Sequence, residues 1–195
     1  MNVLICGDSF AADWTVQYPE VVGWPNLLAQ QHNVTNVAEA GVSEYKILKQ
    51  VESANLNKYD ATIVVHTSIS RVHIEQHPIH QTAGLHKNCD LIYNDLVNAQ
   101  QKDRVTQAGI DYFKYIFDTE YYKDIYVMFL DRIVKATLRY TTIHVTFFDN
   151  PVHYPFGCVN LKSIYDTHPG FANHLSDHGN QQVCTRINQW LKSVS

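Results

Sequence analysis

The chain has 195 residues, of which 45% are hydrophobic, and a formal net charge of -4. This length predicts one domain, residues 1–195, with enough apolar material for a sizeable core. No basic block points to a nucleic-acid partner, and the first apolar run, residues 3–6, is far too short to cross a membrane. No signal segment is evident, so we expect a cytoplasmic protein whose four scattered cysteines are reduced.

Short runs rich in Val, Ile, Thr or Phe predict strands at residues 2–6, 35–38, 61–66 and 143–148. Helical patterns occupy residues 24–31, 43–56, 90–99, 104–117, 121–138 and 177–194. Ser43 and Asp90 are placed to cap the second and third of these helices. Strands that alternate with helices predict an α/β protein, a three-layer α/β/α sandwich with a short, mostly parallel sheet. Residues 70–88 and 150–173 lack periodicity and are predicted to be long loops.

Candidate catalytic residues follow the predicted strands. Ser9 comes directly after the first strand, Gly41 after the second and Ser68 after the third, while His174 follows the last strand and a loop. Sites in parallel sheets lie beyond the carboxyl ends of the strands, so these four residues would share one rim. A serine attacks an ester only when a base takes its proton and donors stabilise the oxyanion. Taken alone, Gly-Asp-Ser could also be a turn in which Asp8 and Ser9 cap the next segment.

Four blocks of sequence stand at these positions: Gly-Asp-Ser-Phe at 7–10, Asn-Val-Ala-Glu-Ala-Gly-Val-Ser at 36–43, His-Thr-Ser at 66–68 and Phe-Ala-Asn-His-Leu-Ser-Asp-His-Gly-Asn at 171–180. In these blocks the chain resembles the SGNH hydrolases, also called the GDSL-like esterase and lipase superfamily, over residues 7–179. The resemblance implies their flavodoxin-like fold. The chain departs from the family at two places: the third block has no asparagine, and Phe171 stands where the family has an aspartate.

The resemblance implies a role for each block. Ser9 would be the nucleophile and His174 its general base. The oxyanion would be bound by the backbone N–H groups of Ser9 and Gly41 and by the hydroxyl of Ser68. Asp8 would hold the turn by hydrogen bonding. The imidazole would be oriented by a carboxylate from elsewhere or by a backbone carbonyl in a Ser-His dyad, or the site would be inactive. The carboxylates considered for this role are Asp177, Asp166 and Asp149, of which Asp177 also looks placed to cap the final helix.

Eleven histidines are many for this length. We predict that His66, Arg71 and His73 line a substrate cleft, where Arg71 would bind an anionic group or simply pair with a surface acid. His73, His77 and His80 have a spacing that could bind zinc on a helix. The proline after His77 favours an extended residue there, and no Glu completes a zinc motif, so we predict no metal site and no cofactor.

The sequence thus predicts a serine esterase that removes a short acyl group, such as acetyl, from an oxygen ester through an acyl-enzyme on Ser9. A carbohydrate is the expected carrier, as the resemblance implies. Two alternatives stay open: an acyltransferase of the same fold, and a non-catalytic glycan-binding module. The expected partner is a small-molecule or glycan ester, without nucleic acid or membrane. The tyrosine-rich stretch 112–140 is predicted to pack against other helices, with a carbohydrate platform as the alternative.

Overall fold

A parallel five-stranded sheet organises the chain in the computed structural model, which describes residues 1–80, 84–154, 156–171 and 174–194. The strands are β1 (Asn2–Gly7), β2 (Asn33–Asn36), β3 (Ala61–His66), β4 (Thr142–Thr146) and β5 (Cys158–Asn160). Their order is β2-β1-β3-β4-β5, and each of these pairings is parallel. This order is that of flavodoxin-like sheets, and it reverses between β1 and β3.

Helices cover both faces of the sheet. They are α1 (Trp24–Ala29), α2 (Glu44–Ser53), α3 (Tyr93–Val97), α4 (Arg104–Tyr115), α5 (Thr119–Thr137), α6 (Lys162–Thr167) and α7 (Asp177–Ser193). One core joins the sheet to α1, α6 and α7, and a second joins it to α2 and α5. A third, smaller cluster packs α3 against α4 beside these two layers. The predicted three-layer α/β/α architecture is therefore confirmed. Among the described residues, no helix has both the length and the apolar character needed to cross a bilayer.

The strands form because apolar residues continue without interruption where both faces are covered. All six residues of β3 are buried, which is typical of a central parallel strand. β2 lies at the edge of the sheet and is only partly buried, and it begins two residues before the predicted 35–38. Its register with β1 runs from Asn33 opposite Asn2 to Asn36 opposite Ile5, so two asparagines that look like turn residues belong to the strand.

The predicted loop 150–173 is where the structure differs most from the sequence analysis. It contains β5 and α6, which have only three and six residues and are too short to show a period. The other difference is α3, which begins at Tyr93 although a helix was predicted from Asp90. Residues 81–83 of the first predicted loop, residues 155, 172 and 173 of the second, and residue 195 lie outside the described residues.

Candidate active site

The turn after β1 holds Ser9 through hydrogen bonds made by Asp8. The Asp8 carboxylate accepts hydrogen bonds from the backbone N–H of Phe10 at 3.0 Å and from the Thr67 hydroxyl at 2.7 Å. Gly7 sits where β1 approaches β3 so closely that a Cβ atom would lie 2.7 Å from the Cβ of Val65. The structure thus confirms that Asp8 holds the turn, and it explains why a glycine precedes it.

The pKa of the Asp8 carboxyl is higher than that of an ordinary aspartate. Complete burial raises its pKa from 3.8 to about 6, although nearby Arg71 and the hydrogen bonds from Thr67 and Phe10 act in the opposite direction. Glu44 is a smaller cause of the increase. The group next to the candidate nucleophile therefore gains or loses its proton close to neutral pH.

Ser9 and His174 line one small cavity of about 20 Å³, which is room for about one water molecule. The His174 ring lies between two aromatic rings, with its centroid 4.8 Å from that of Phe10 and 4.4 Å from that of Trp14. The indole N–H of Trp14 donates a hydrogen bond to the carbonyl of Ser9 at 2.8 Å. The two residues that the sequence pairs thus line the same cavity, and Trp14, which the sequence did not single out, lines it with them.

The predicted orienting acids occupy different surroundings. Asp149 and Asp166 both pair with Lys162 near β5 and α6, and both carboxylates are largely exposed. Asp177 is exposed in the first turn of α7. The helix is capped by Ser176, whose hydroxyl oxygen accepts a hydrogen bond from the N–H of Gly179 at 3.3 Å, so the prediction that Asp177 is the cap was wrong by one residue.

Phe171 is half-exposed and lines the same cavity as Ser9. Its ring centroid lies 4.9 Å from that of Tyr18 and 6.2 Å from that of Trp14. At this position the chain therefore contributes an aromatic wall to the cavity.

The candidate oxyanion residues lie on loops that are tied to the same turn. The N–H of Glu39 donates a hydrogen bond to the carbonyl of Gly7 at 3.1 Å, so Gly41 and Ser9 each lie two residues beyond this bond. Gly41 has a φ of 78°, and a Cβ atom there would lie 2.6 Å from the Cβ of Cys89, so only glycine fits. The hydroxyl of Ser68 forms a hydrogen bond with the hydroxyl of Ser70 at an oxygen–oxygen distance of 2.8 Å.

His66 does not line a cleft, because its side chain is fully buried. Its Nδ1–H donates to the carboxylate of Glu44 at 2.6 Å, and its Nε2 lies 3.0 Å from Nδ1 of His144, so that one of the two rings donates to the other. Burial, followed by the neighbouring His66, lowers the pKa of His144 to about 3. The prediction of a cleft role for His66 was wrong because the polar side chain at the end of β3 is satisfied inside the protein.

Arg71 and His73 do share a cavity, which lies between the start of α2, the segment after β3 and the first half of α5. Its volume is about 130 Å³. Nη1 of Arg71 donates to the carbonyl of Gly41 at 3.1 Å, whereas no carboxylate among the described residues lies within 4.0 Å of the guanidinium group. The interpretation of Arg71 as one half of a surface ion pair was therefore wrong.

Three side chains of the histidine-rich segment converge: the potential ligand atoms of His77, His80 and Cys89 lie within 4.8 Å of one another. However, Nδ1 of His77 accepts hydrogen bonds from the backbone N–H groups of Ile79 at 3.1 Å and His80 at 3.2 Å. In the neutral ring this places the proton on Nε2, where it occupies the position of a metal ligand. In the metal-free protein, burial raises the pKa of the Cys89 thiol to about 12. This geometry favours the hydrogen-bonded turn over a bound ion.

Comparisons with known proteins add two structural neighbours. No family model matches the chain, and no curated protein matches it. A "putative acylhydrolase" from Bacteroides fragilis NCTC 9343 aligns with a TM-score of 0.42 and 11% identity, over 100% of this chain and 88% of that one. A "putative lipolytic protein of G-D-S-L family" from Desulfitobacterium hafniense DCB-2 aligns with a TM-score of 0.38 and 15% identity, over 100% and 99%. Because both scores are below 0.5, we base the functional proposal on the geometry of this chain.

Proposed function

We propose that the protein is a serine hydrolase of small esters, with Ser9 as the nucleophile and His174 as the general base. The observation that carries the proposal is the cavity that these two residues line together, although they come from opposite ends of the chain. A serine hydroxyl is nearly un-ionised at neutral pH, so it becomes a nucleophile only when a neighbouring base takes its proton.

The position of the cavity in the sheet supports the same chemistry. Ser9 follows β1, and β1 and β3 are the neighbours between which the strand order reverses. In open parallel sheets, ligands bind beyond the carboxyl ends of the strands at this switch point. The candidate nucleophile therefore lies where a sheet of this order places its substrate.

In the proposed reaction, Ser9 Oγ attacks the carbonyl carbon of the ester while its proton passes to His174. The tetrahedral intermediate then collapses, the bond to the alcohol oxygen breaks, and His174 returns the proton to the leaving alcohol. Water attacks the resulting acyl-enzyme, with His174 again as the base. The acid is released, and the Ser9 hydroxyl is restored.

For the oxyanion we propose the backbone N–H groups of Ser9 and Gly41, with the Ser68 hydroxyl as a third donor. The bond between Glu39 and Gly7 supports this assignment, because it keeps the two loops side by side. Ser68 would have to turn away from Ser70 to donate to the oxyanion, which makes it the weakest of the three. Removal of one such donor from a comparable site slows the reaction by ~10²–10³.

For the orientation of His174 we propose the packing of its ring against Phe10 and Trp14, whether or not a carboxylate also reaches it. Two aromatic neighbours limit the angles that the imidazole can adopt, and the bond from Trp14 to the Ser9 carbonyl couples the same indole to the nucleophile. The resulting arrangement is a Ser-His dyad. A triad completed by one of the predicted aspartates remains the alternative form of the proposal.

The cavity is narrow and mostly apolar, with Phe10, Trp14, Val21 and Phe171 among its walls. A space this small disfavours a long acyl chain, and we propose acetyl. A carbohydrate as the carrier of the ester follows from the sequence resemblance and is part of the proposal. Transfer of the acyl group to a sugar hydroxyl uses the same acyl-enzyme and differs only in the acceptor.

Labelling with a serine-directed fluorophosphonate, together with turnover of p-nitrophenyl acetate, tests the proposal. We expect one labelled serine, identified as Ser9 by peptide mass spectrometry. Ser9→Ala should abolish both labelling and turnover, and His174→Ala should lower both by at least about 10², the usual contribution of a general base.

Two controls match the altered residues. Ser163→Ala removes an exposed hydroxyl on α6, and His178→Ala removes an exposed imidazole one turn after His174. Both should behave like the unaltered protein. If the folded protein is not labelled over several hours, or if labelling persists in Ser9→Ala, the protein is not a hydrolase of this kind, and a binding module becomes the better account.

A further inference from the structure

The cavity that contains Arg71 is separate from the cavity of Ser9, since the two share no lining residue. It also lies at the carboxyl edge of the sheet, where parallel α/β proteins bind ligands. Its volume of about 130 Å³ is close to the roughly 150 Å³ of an apolar cavity that admits benzene. The space therefore suits one six-membered ring.

Four aromatic side chains contribute to the walls. Tyr45, Tyr122, Tyr126 and Phe129 come from α2 and α5 and surround the space together with aliphatic side chains. Aromatic side chains favour planar partners, which stack on their faces or meet their edges. The walls thus select a flat and apolar ligand body.

Two polar groups in the lining of this cavity lack the partners that buried groups normally have. Ser43 is the N-cap residue of α2, yet its hydroxyl makes no capping bond and, among the described residues, no other hydrogen bond. Nε of Arg71 is buried and similarly unpaired within the described part of the chain. Ser43 is only 3% exposed, so its hydroxyl is shielded from bulk water, and only a molecule inside the cavity could supply the missing bond. Because buried donors are almost always satisfied, two such groups in one cavity point to a ligand that accepts hydrogen bonds.

Arg71 supplies a cation to the lining of this cavity. The guanidinium group of Arg71 has no ion-pair partner within the described residues, as noted above. Glu44 also lines the cavity, but one of its carboxylate oxygens accepts from His66 and the other from the N–H of Thr67 at 3.2 Å. A guanidinium group binds a carboxylate through paired, charge-assisted hydrogen bonds. We infer that the cavity binds a small aromatic carboxylate, with its carboxylate on Arg71 and Ser43 and its ring between the tyrosines.

This site is independent of the proposed esterase chemistry, because no catalytic step uses it. A ligand there would nevertheless touch the residue that holds the Gly41 loop, since Nη1 of Arg71 donates to the carbonyl of Gly41. Binding is therefore measured directly, and the result does not depend on whether the protein hydrolyses any ester.

Benzoate is the probe, and benzamide is its neutral control of the same shape. Binding is followed by titration of the ¹⁵N-labelled protein, with amide shifts expected at residues 43–45 and 71–73. We expect saturable binding of benzoate, with a dissociation constant of about 1 mM or lower. Benzamide should bind at least about tenfold more weakly, since it lacks the charge that Arg71 recognises.

Variants locate the site. Ile125→Trp fills the cavity and should abolish benzoate binding, whereas Met128→Trp places the same ring on the exposed side of α5 and should not. Arg71→Gln should weaken binding at least about tenfold and Ser43→Ala a few-fold, as expected for a charged and a neutral hydrogen bond. Arg71→Gln could also unfold the Gly41 loop, because Arg71 donates to the Gly41 carbonyl. The comparison of Ile125→Trp with Met128→Trp therefore decides whether benzoate binds in this cavity. Equal affinity for benzoate and benzamide, unchanged binding in Ile125→Trp, or no binding at roughly 10 mM benzoate would each overturn the inference.

Discussion

Replacing Asp8 with asparagine should remove a pH dependence from the stability of the fold. In the folded protein, burial raises the pKa of Asp8 to about 6, whereas the unfolded chain restores it to near 3.8. Between these two values the folded carboxyl retains a proton that the unfolded chain has released. The free energy of unfolding therefore falls as the pH rises from about 4 to about 6, and the loss is complete above the folded pKa.

The size of the effect follows from the shift. A difference of about two pKa units corresponds to about 3 kcal/mol, at roughly 1.4 kcal/mol per unit. Asparagine cannot ionise but keeps the geometry: its oxygen can accept from the N–H of Phe10, and its amide can donate to the Thr67 hydroxyl. Relative to the unaltered protein, Asp8→Asn should thus gain about 3 kcal/mol between about pH 3.5 and pH 7.

Urea unfolding followed by circular dichroism at several pH values measures this difference directly. The matched control is Asp131→Asn, which removes an exposed carboxylate on α5 and should leave the pH dependence unchanged. Parallel stability curves for Asp8→Asn and the unaltered protein over this pH range would refute the reasoning, because they would mean that the Asp8 carboxyl ionises equally easily in both states.

Three further substitutions test other parts of the carboxyl edge. Glu44→Gln removes the charge that holds His66 and should lower the free energy of unfolding by about 3 kcal/mol, or the melting temperature by roughly 6–12 °C in calorimetry; an unchanged melting temperature would contradict this. Gly41→Ala should cost about 1–3 kcal/mol in urea unfolding, because its φ is positive and its Cβ would contact Cys89, and wild-type stability would show that the loop adapts. Trp14→Phe keeps the aromatic contact but removes the donor to the carbonyl of the candidate nucleophile, so fluorophosphonate labelling should slow by about fivefold; an unchanged rate would mean that this bond does not position the turn.

The sequence was sufficient to predict the layers and the parallel sheet, and it singled out Ser9 and His174, which line one cavity. Apolar runs of strand length and helical spacing are local signals, and strand ends in a parallel sheet converge whatever lies between them. Trp14 was not predicted as a site residue, because the residues around it in the sequence do not indicate that its indole N–H donates to the carbonyl of Ser9. Contacts of this kind depend on the tertiary path of a loop, which the sequence pattern does not encode.

Polar residues at element ends were harder to assign. Asp90 looked like a helix cap, but its carboxylate accepts from the N–H of Ser43 at 2.7 Å and pairs with Lys46 at 2.8 Å. The helix consequently begins three residues later, and the Ser43 hydroxyl, which was expected to cap α2, makes no capping bond. Sequence rules identify residues that are able to cap a helix. A side chain of this kind can instead form a hydrogen bond or ion pair with a residue that is distant in the sequence.

Thr67, which directly follows β3, uses its polar groups to hold neighbouring segments together. Its N–H donates to Glu44, its hydroxyl donates to Asp8, and its carbonyl accepts from Tyr126 at 2.9 Å and from Asn150 at 2.9 Å. The N–H, the hydroxyl and the carbonyl of this residue thus all make hydrogen bonds within the fold. If the proposed chemistry is correct, the end of β3 in this chain serves to fix the turn of the nucleophile. The backbone N–H groups of Ser9 and Gly41 would then provide most of the stabilisation of the oxyanion, and a substitution of Ser68 would leave them in place.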